Sequence, residues 1–208
     1  MTNIRGAKIS RKTSEVDIQG ALAIDGSGKT EIKTGFEPLN HLLTLFAFHG
    51  LFDLTLQAQG DLAHHVIEDI GIALGQAFKA ALDQKEGINR YGCFTVAMDE
   101  VAVETAIDIS GRPSLSGNIS DANKIQIKDI LDHATFDDTN FTFKHAEEFL
   151  DSFVQHAGIS LVYTIKSGKG DLHHILEALF KALGKALDQA TQIDIRRKGV
   201  PSTKGIID

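Results

Sequence analysis

The chain has 208 residues, of which 42% are hydrophobic, 28 are acidic and 21 are basic, so its formal net charge is -7. This length and composition suffice for a packed interior, in one large domain or in two small halves. The negative charge argues against a nucleic-acid-binding surface and against a basic membrane patch, so the expected partners are small molecules or further copies of the chain.

Cysteine content and apolar runs bear on the compartment. The single cysteine, Cys93, cannot form an internal disulfide, so nothing indicates an oxidising environment. The N-terminal residues lack the apolar run of a signal peptide, and no stretch reaches the ~18 apolar residues of a membrane span. A cytoplasmic protein without membrane association is therefore expected.

The first half of the chain alternates between strand and helix patterns. Residues 16–19 predict a half-buried strand, residues 25–28 a turn, and residues 38–49 a first helix. Alternation returns in residues 52–57. Asp61 is the predicted N-cap of a second helix that begins near a pair of histidines.

The second half shows the same order of elements. Residues 101–109 predict a strand, residues 144–157 a first helix, and residues 159–165 another strand. Asp171 is the predicted N-cap of the next helix, which again begins near a histidine pair. Residues 117–140 hold scattered Asn, Asp, Thr and Gly, and we expect a loop or an irregular insertion there.

An internal repeat accounts for this shared order. Two histidine pairs, each followed by a glutamate at the same spacing, carry it: His64-His65-x-x-Glu68 and His173-His174-x-x-Glu177. We predict an α+β fold of internally duplicated half-domains, each with several mostly antiparallel strands and two helices packed on one face. The expected divisions are residues 1–88 and 89–191 for the two half-domains and 192–208 for a C-terminal tail.

The spacing of the repeat favours a metal site. On a helix, residues i and i+4 share a face, whereas adjacent residues point about 100° apart. The first histidine of each pair should therefore share an ion with the glutamate, while the second histidine reaches another ion, which gives two mixed sites across a pseudo-twofold axis. Imidazole and carboxylate donors without thiolate suit Mn, Fe, Co, Ni or Zn. A lone pair of this kind is more often buried in a core, but two equivalent pairs favour metal binding.

These segments and others, in order along the chain, resemble the imidazoleglycerol-phosphate dehydratase family. The matching motifs include Thr34-Gly35-Phe36, Leu39-Asn40-His41-Leu42-Leu43, both histidine segments, Gly87-Ile88-x-Arg90-Tyr91-Gly92, Ser110-Gly111-Arg112-Pro113 and Pro201-Ser202-Thr203-Lys204-Gly205. The resemblance implies a lyase of histidine biosynthesis that removes water from imidazole-glycerol phosphate to give imidazole-acetol phosphate. It also implies two manganese ions that hold the substrate's imidazole ring, and a large octahedral homo-oligomer with active sites at subunit contacts.

The resemblance also assigns roles to individual residues. Glu15 matches the catalytic acid/base, although a solvated carboxylate at a strand end is the alternative. The expected metal ligands are His41, His64, His65, Glu68, Glu148, His173, His174 and Glu177. The expected substrate contacts, most of them to the phosphate, are His49, Arg90, Arg112, Lys181, Ser202 and Lys204.

Several positions depart from the family pattern and mark the chain as a divergent member. Asn40 and Ala63 replace acidic residues, Glu148 stands where the family places a metal-binding histidine, and Val162 stands where it usually has another. A carboxylate still binds a hard divalent ion, but its charge weakens the ion's pull on the substrate ring, so the alteration or loss of one ion stays open. Two alternatives also stay open: an enzyme with the same metals and a changed substrate, and a non-catalytic metal-binding assembly protein.

Overall fold

A computed structural model describes residues 4–120, 124–168 and 171–207, which form eight strands and five helices. The strands are β1 (Gly6–Lys12), β2 (Val16–Ala23), β3 (Thr30–Lys33), β4 (Asp53–Gly60), β5 (Tyr91–Met98), β6 (Val101–Asp108), β7 (Ser114–Ile119) and β8 (Ser160–Gly168). The helices are α1 (Glu37–Gly50), α2 (Ala63–Leu82), α3 (Lys124–His133), α4 (Phe143–Ala157) and α5 (Leu172–Thr191). In this part of the chain, no helix has the length and apolar character needed to cross a membrane.

The strands form two four-stranded sheets of the same topology, in the orders β1-β2-β4-β3 and β5-β6-β8-β7. In each sheet the first three strands pair antiparallel, and the last strand runs parallel to its neighbour. The predicted α+β class and the mostly antiparallel pairing are confirmed. The division at residues 88 and 191 stays a proposal. The backbone of Asn89 donates to Gln192 at 2.9 Å, which ties the start of the tail to the join between the halves.

Two helix crossings join the halves, because α1 packs against α5 and α2 packs against α4. Each crossing depends on a glycine at the same position of the repeat. A Cβ atom added to Gly184 would lie 2.3 Å from the carbonyl oxygen of Phe46, and one added to Gly75 would lie 2.6 Å from that of Phe153. Any larger residue would separate the helices, so the two glycines permit the close approach that brings side chains of both halves together.

The centre of the molecule is an aromatic core shared by both halves. The rings of Phe46 and Phe153 lie 6.0 Å apart, edge to face, and these two residues are equivalents in the repeat. A residue that meets its own equivalent lies near the pseudo-twofold axis. Six phenylalanines are almost completely buried, and such burial stabilises a fold by about 1.5–3 kcal/mol for each side chain: Phe46, Phe52, Phe78, Phe149, Phe153 and Phe180.

Two expectations about local structure were wrong. Residues 117–140 contain the end of β7 and all of α3, so the second half has three helices instead of two; residues 121–123 lie outside the described residues. Ile127 is the one fully buried residue of α3, while Ile130 and Leu131 are only partly buried and Ile125 is exposed, so its apolar face gives little sequence signal. Asp61 does not cap α2, whose N-cap is Leu62; its carboxylate accepts instead from the backbone of Leu62 and contacts the ring of His65.

Candidate metal centre

The start of α1 fixes the position of His41. Pro38 lies in the first turn of the helix, where its missing N–H costs nothing. The side-chain oxygen of Asn40 accepts from the backbone N–H of Thr34 at 2.9 Å and from its hydroxyl at 2.8 Å. An amide oxygen serves these contacts without a negative charge, so the departure at Asn40 is compatible with an ordered helix start.

The start of α5 fixes the second histidine pair. Asp171 is the N-cap of α5, as predicted, and its carboxylate accepts from the backbone N–H of His174 at 2.9 Å. This cap sets the helix register so that His173 and Glu177, one turn apart, present their side chains on the same face. Nε2 of His173 lies 3.0 Å from Oε1 of Glu177.

His41, His173 and Glu177 converge at the crossing of α1 and α5, and we call them the α1–α5 cluster. One ligand atom from each lies within 4.8 Å of the others. Nε2 of His41 is 2.5 Å from the same Glu177 oxygen that His173 contacts. The cluster therefore joins the first helix of one half to the second helix of the other.

The carboxylate of Glu177 is strongly held in its charged form. Its side chain is only 8% exposed, and the ammonium group of Lys181 donates to its second oxygen at 2.6 Å. Burial by itself raises the pKa of Glu177, but hydrogen bonds from Lys181, His41 and His173 outweigh that effect and lower the pKa to about 2. Two imidazole nitrogens beside an anionic carboxylate oxygen form a donor set that fits a divalent ion such as Mn²⁺.

Two further residues contact His173, and the sequence interpretation did not include them. The ring of Phe136 stacks on the His173 ring at a centroid distance of 4.3 Å, and the carboxylate oxygens of Asp137 lie 2.9 and 3.0 Å from His173 Nδ1. The unequal length of two equivalent joins in the repeat could have pointed to them. Residues 34–36 join strand to helix in the first half, whereas residues 120–142 make the equivalent join in the second.

The second histidine of each pair is turned away from the α1–α5 cluster and anchored by an aspartate. Nδ1 of His65 lies 2.8 Å from Asp61, and Nδ1 of His174 lies 2.7 Å from Asp171. The hydrogen bond with Asp61 raises the pKa of His65. Adjacent histidines thus point in different directions, as the helical geometry predicts.

The equivalent residues of the first half do not form a second cluster among the described residues. His64 is exposed and its ring contacts that of His65, with the centroids 4.2 Å apart. Glu68 is exposed as well. Glu148, the equivalent of His41, lies 4.0 Å from the ammonium group of Lys144, and its Oε2 atom is buried with no hydrogen-bond partner in the described part of the chain.

The predicted acid/base lies beside the first histidine pair. Glu15 follows the turn between β1 and β2, half-exposed, and its Oε2 atom is 3.9 Å from Nδ1 of His65. The backbone carbonyl of Glu15 accepts from the N–H of Asp61 at 3.2 Å, which ties it to the start of α2. Within one chain, Glu15 is therefore grouped with His65.

Two predicted substrate contacts border the α1–α5 cluster. Lys181 contacts Glu177 directly, and its ammonium group also lies 3.4 Å from the sulfur of Met98. His49 lies further along α1, where burial and the nearby charges of Lys181 and Lys185 lower its pKa. A mostly neutral imidazole and an ammonium group thus lie on the same side of the cluster.

The predicted phosphate contacts lie elsewhere on the surface. Arg90 makes two hydrogen bonds to Asp108, at 2.6 and 3.1 Å, and a third to the carbonyl of Pro201 at 3.0 Å. It thereby holds the C-terminal tail that carries Ser202 and Lys204. Within the described ranges, Arg112, Ser202 and Lys204 form no hydrogen bond with the α1–α5 cluster.

Comparisons with known proteins show which family the chain resembles. The family model described as imidazoleglycerol-phosphate dehydratase matches residues 34–187. The imidazoleglycerol-phosphate dehydratase of Pelobacter propionicus is 49% identical over 206 residues, which cover 98% of this chain and 99% of that protein. The protein of the same name from a Thermoanaerobacter strain is 45% identical over 98% of this chain and 100% of its own length.

The chain belongs to the imidazoleglycerol-phosphate dehydratase family. Solved structures of the family share its fold. The Staphylococcus aureus enzyme superimposes with a TM-score of 0.76 at 34% identity, covering 91% of this chain and 99% of its own. The Pyrococcus furiosus protein, solved in complex with (S)-C348, gives a TM-score of 0.74 at 35% identity, covering 95% of this chain and 99% of its own. The chain is 49% and 45% identical to the Pelobacter and Thermoanaerobacter proteins, so the departures noted above lie within an otherwise typical member of the family.

Proposed function

We propose that this chain removes water from imidazole-glycerol phosphate to give imidazole-acetol phosphate, the dehydration step of histidine biosynthesis. Family membership over nearly the full chain supports this, and one observation carries it: His41, His173 and Glu177 meet at one helix crossing with their ligand atoms within 4.8 Å. A cytoplasmic location accords with a biosynthetic role.

The α1–α5 cluster would hold a divalent ion, for which we propose Mn²⁺. Such an ion, when bound, supplies a Lewis acid that draws charge from the substrate's imidazole ring. His41 and His173 would offer their Nε2 atoms as donors on release of the protons shared with Glu177, and Lys181 keeps the second oxygen of Glu177 occupied so that the first one faces the ion. A second ion would use the first-half residues His64 and Glu68 with Glu148.

Glu15 would act as the acid/base. Its half-exposed carboxylate can reach a substrate without losing a strong partner of its own, and a positioned carboxylate of this kind typically contributes about 10²–10⁴-fold to the rate. Arg90, Arg112, Ser202 and Lys204 would hold the phosphate, with His49 and Lys181 as further substrate contacts.

We further propose a large homo-oligomer. Glu15 and His65 lie together at the start of α2, whereas the α1–α5 cluster lies at another crossing, so one chain does not bring all the proposed groups to one place. His65 and His174 are partly exposed and turned away from the α1–α5 cluster, and each would complete the ion site of a neighbouring copy.

Turnover of imidazole-glycerol phosphate by the purified, assembled protein tests the proposal. With Mn²⁺ present, we expect imidazole-acetol phosphate to form, as detected by mass spectrometry, and a chelator should abolish its formation. Absence of product with Mn²⁺, Fe²⁺, Co²⁺, Ni²⁺ and Zn²⁺ alike would exclude the dehydratase. Metal binding without turnover would favour the non-catalytic alternative, and turnover of a different imidazole phosphate would favour the changed substrate.

A further inference from the structure

The two halves differ most in the segment that joins the third strand to the following helix. In the first half, residues 34–36 suffice, whereas the second half uses residues 120–142, which include α3 and a short hairpin-like turn. Although this join leads into α4, Phe136 and Asp137 near its end contact His173 at the start of α5, so the extension lies beside the site. The extension therefore adds side chains to one half that the other half does not have.

The end of this extension is ordered by its own hydrogen bonds. The backbone N–H of Phe136 donates to the carbonyl of Phe141 at 2.7 Å, and Thr135 pairs with Thr142 across the turn. The hydroxyl of Thr135 donates to the carbonyl of Asp137 at 3.1 Å. Asp137 itself has a φ of +51°, a left-handed conformation in which Asp is among the better tolerated residues. These contacts hold Phe136 and Asp137 in fixed positions over α5.

Both residues are directed at His173. Phe136 stacks on the ring at an interplanar angle of 19°, and Asp137 places both carboxylate oxygens within 3.0 Å of Nδ1. A carboxylate is an acceptor only, so Nδ1 must carry the proton of this hydrogen bond. The stacked ring prevents rotation, and Nε2 is left facing Glu177 and His41.

We propose that Asp137 is a positioning residue that fixes the orientation of His173 at the α1–α5 cluster and keeps a proton on its Nδ1 atom. This inference rests on the proposed function of the cluster as a metal centre. A histidine that ligates a metal through one ring nitrogen commonly donates its other N–H to a carboxylate, which orients the ring and makes the ligating nitrogen more basic. The extension of the second half thus stabilises one metal ligand from outside the repeat.

His64, the repeat equivalent of His173, lacks such a partner in the described part of the chain. Its ring is exposed and contacts that of His65, while the first-half join provides only Thr34, Gly35 and Phe36. The proposed support is therefore a property of one centre and not of the duplicated fold.

Metal binding by the full-length, assembled protein tests the role of Asp137. Asp137→Ala removes the acceptor, and we expect the affinity for Mn²⁺ to fall about 10- to 100-fold, as is usual when such a partner of a metal-bound histidine is lost. Asp137→Asn keeps an acceptor oxygen and should recover part of that loss. Asp138→Ala changes the exposed neighbouring carboxylate and should bind like the unmutated protein. The Asp137 side chain is 54% exposed, so Asp137→Asn should keep the unfolding temperature of the metal-free protein, whereas Asp137→Ala should lower it slightly because alanine tolerates the positive φ less well.

A second measurement does not depend on metal. In metal-free protein labelled with ¹⁵N-histidine, His173, assigned by its loss in His173→Ala, should carry a proton on Nδ1, and in Asp137→Ala that proton should be lost. A proton-free Nδ1 in the unmutated protein would overturn the inference, as would an unchanged Mn²⁺ affinity in Asp137→Ala or an Asp137→Asn variant as weak as Asp137→Ala. If the unmutated protein binds no Mn²⁺ while Nδ1 carries its proton, the proposed metal centre fails and the positioning contact stands.

Discussion

Replacement of Glu177 by glutamine is the most direct test of the α1–α5 cluster, because this one side chain contacts all the other groups. Its two oxygens accept from Lys181, His41 and His173 at 2.6, 2.5 and 3.0 Å. Glutamine has nearly the same shape but only one acceptor oxygen, so its amide N–H₂ must face either the ammonium group or the imidazoles. At least one donor loses its acceptor, whichever way the amide turns.

The size of the effect follows from these contacts. A hydrogen bond to a charged group contributes about 1.5–3 kcal/mol, so we expect Glu177→Gln to lower the free energy of unfolding of the metal-free protein by roughly that amount. For a chain of 150–250 residues, each kcal/mol corresponds to about 2–4 °C in Tm. The two proteins should also differ in how much bound metal stabilises them, since a ligand at 100 times its Kd stabilises the folded state by about 2.7 kcal/mol.

Thermal unfolding with and without Mn²⁺ measures both quantities. The unmutated protein should gain about 5–10 °C on saturation with Mn²⁺, whereas Glu177→Gln should start lower and gain little. Glu86→Gln, a change to an exposed glutamate, should leave both values unchanged. If Glu177→Gln shows the full Mn²⁺-induced gain, the carboxylate is not a metal ligand, and the proposed centre is wrong.

Three further changes test the acid/base, the helix crossing and the β-sheet. Glu15→Gln should lower kcat by about 10²–10⁴-fold and leave the Mn²⁺ affinity unchanged; a parallel loss of affinity would contradict a pure acid/base role. Gly184→Ala forces a Cβ to within 2.3 Å of the Phe46 carbonyl oxygen, so α1 and α5 must separate. We expect the free energy of unfolding to fall by about 1–3 kcal/mol and the Mn²⁺ affinity, measured by calorimetry, to fall as well. Asp53 accepts from the backbone of Ser27 and Lys29 at 2.8 and 2.9 Å, so Asp53→Ala should cost about 1–2 kcal/mol in urea unfolding at pH 7. Those bonds lower the pKa of Asp53 below its ordinary value of 3.8. The difference in the free energy of unfolding between the two proteins should therefore persist down to pH 3.8 and vanish as the pH falls through the lowered pKa. A difference that stays constant at all pH values would refute this.

Much of the fold follows from patterns in single segments. The patterns predict strands β2, β4, β6 and β8 and the four long helices near their observed positions, because each buries one face in the core. The outer strands β1, β3, β5 and β7 are not predicted, since most of their residues are exposed or half-buried and backbone pairing holds them. Pairing of this kind leaves almost no trace in the side chains.

The candidate site, too, is predictable from the sequence only in part. The spacing of His173 and Glu177 within one helix directly predicts that they share a face. The contact of Glu177 with His41 depends on which helices cross, and the sequence contains that information only as glycines that fit several packing arrangements. The contact of Asp137 with His173 depends on the course of an extension that has no counterpart in the other half, so no repeat could reveal it.

Duplication of the sequence has produced two equivalent crossings but not two equivalent centres. The crossings match, since Gly75 meets Phe153 as Gly184 meets Phe46. At one crossing, two imidazoles share a carboxylate that an ammonium group also holds, so both carboxylate oxygens have partners. At the other, Glu148 replaces an imidazole with a second carboxylate, and its buried Oε2 atom has no hydrogen-bond partner in the described residues. A buried, unpaired carboxylate oxygen is costly unless a cation or a donor reaches it. Among the residues that the structure describes, the α2–α4 crossing thus carries an unsatisfied carboxylate oxygen that the α1–α5 crossing does not.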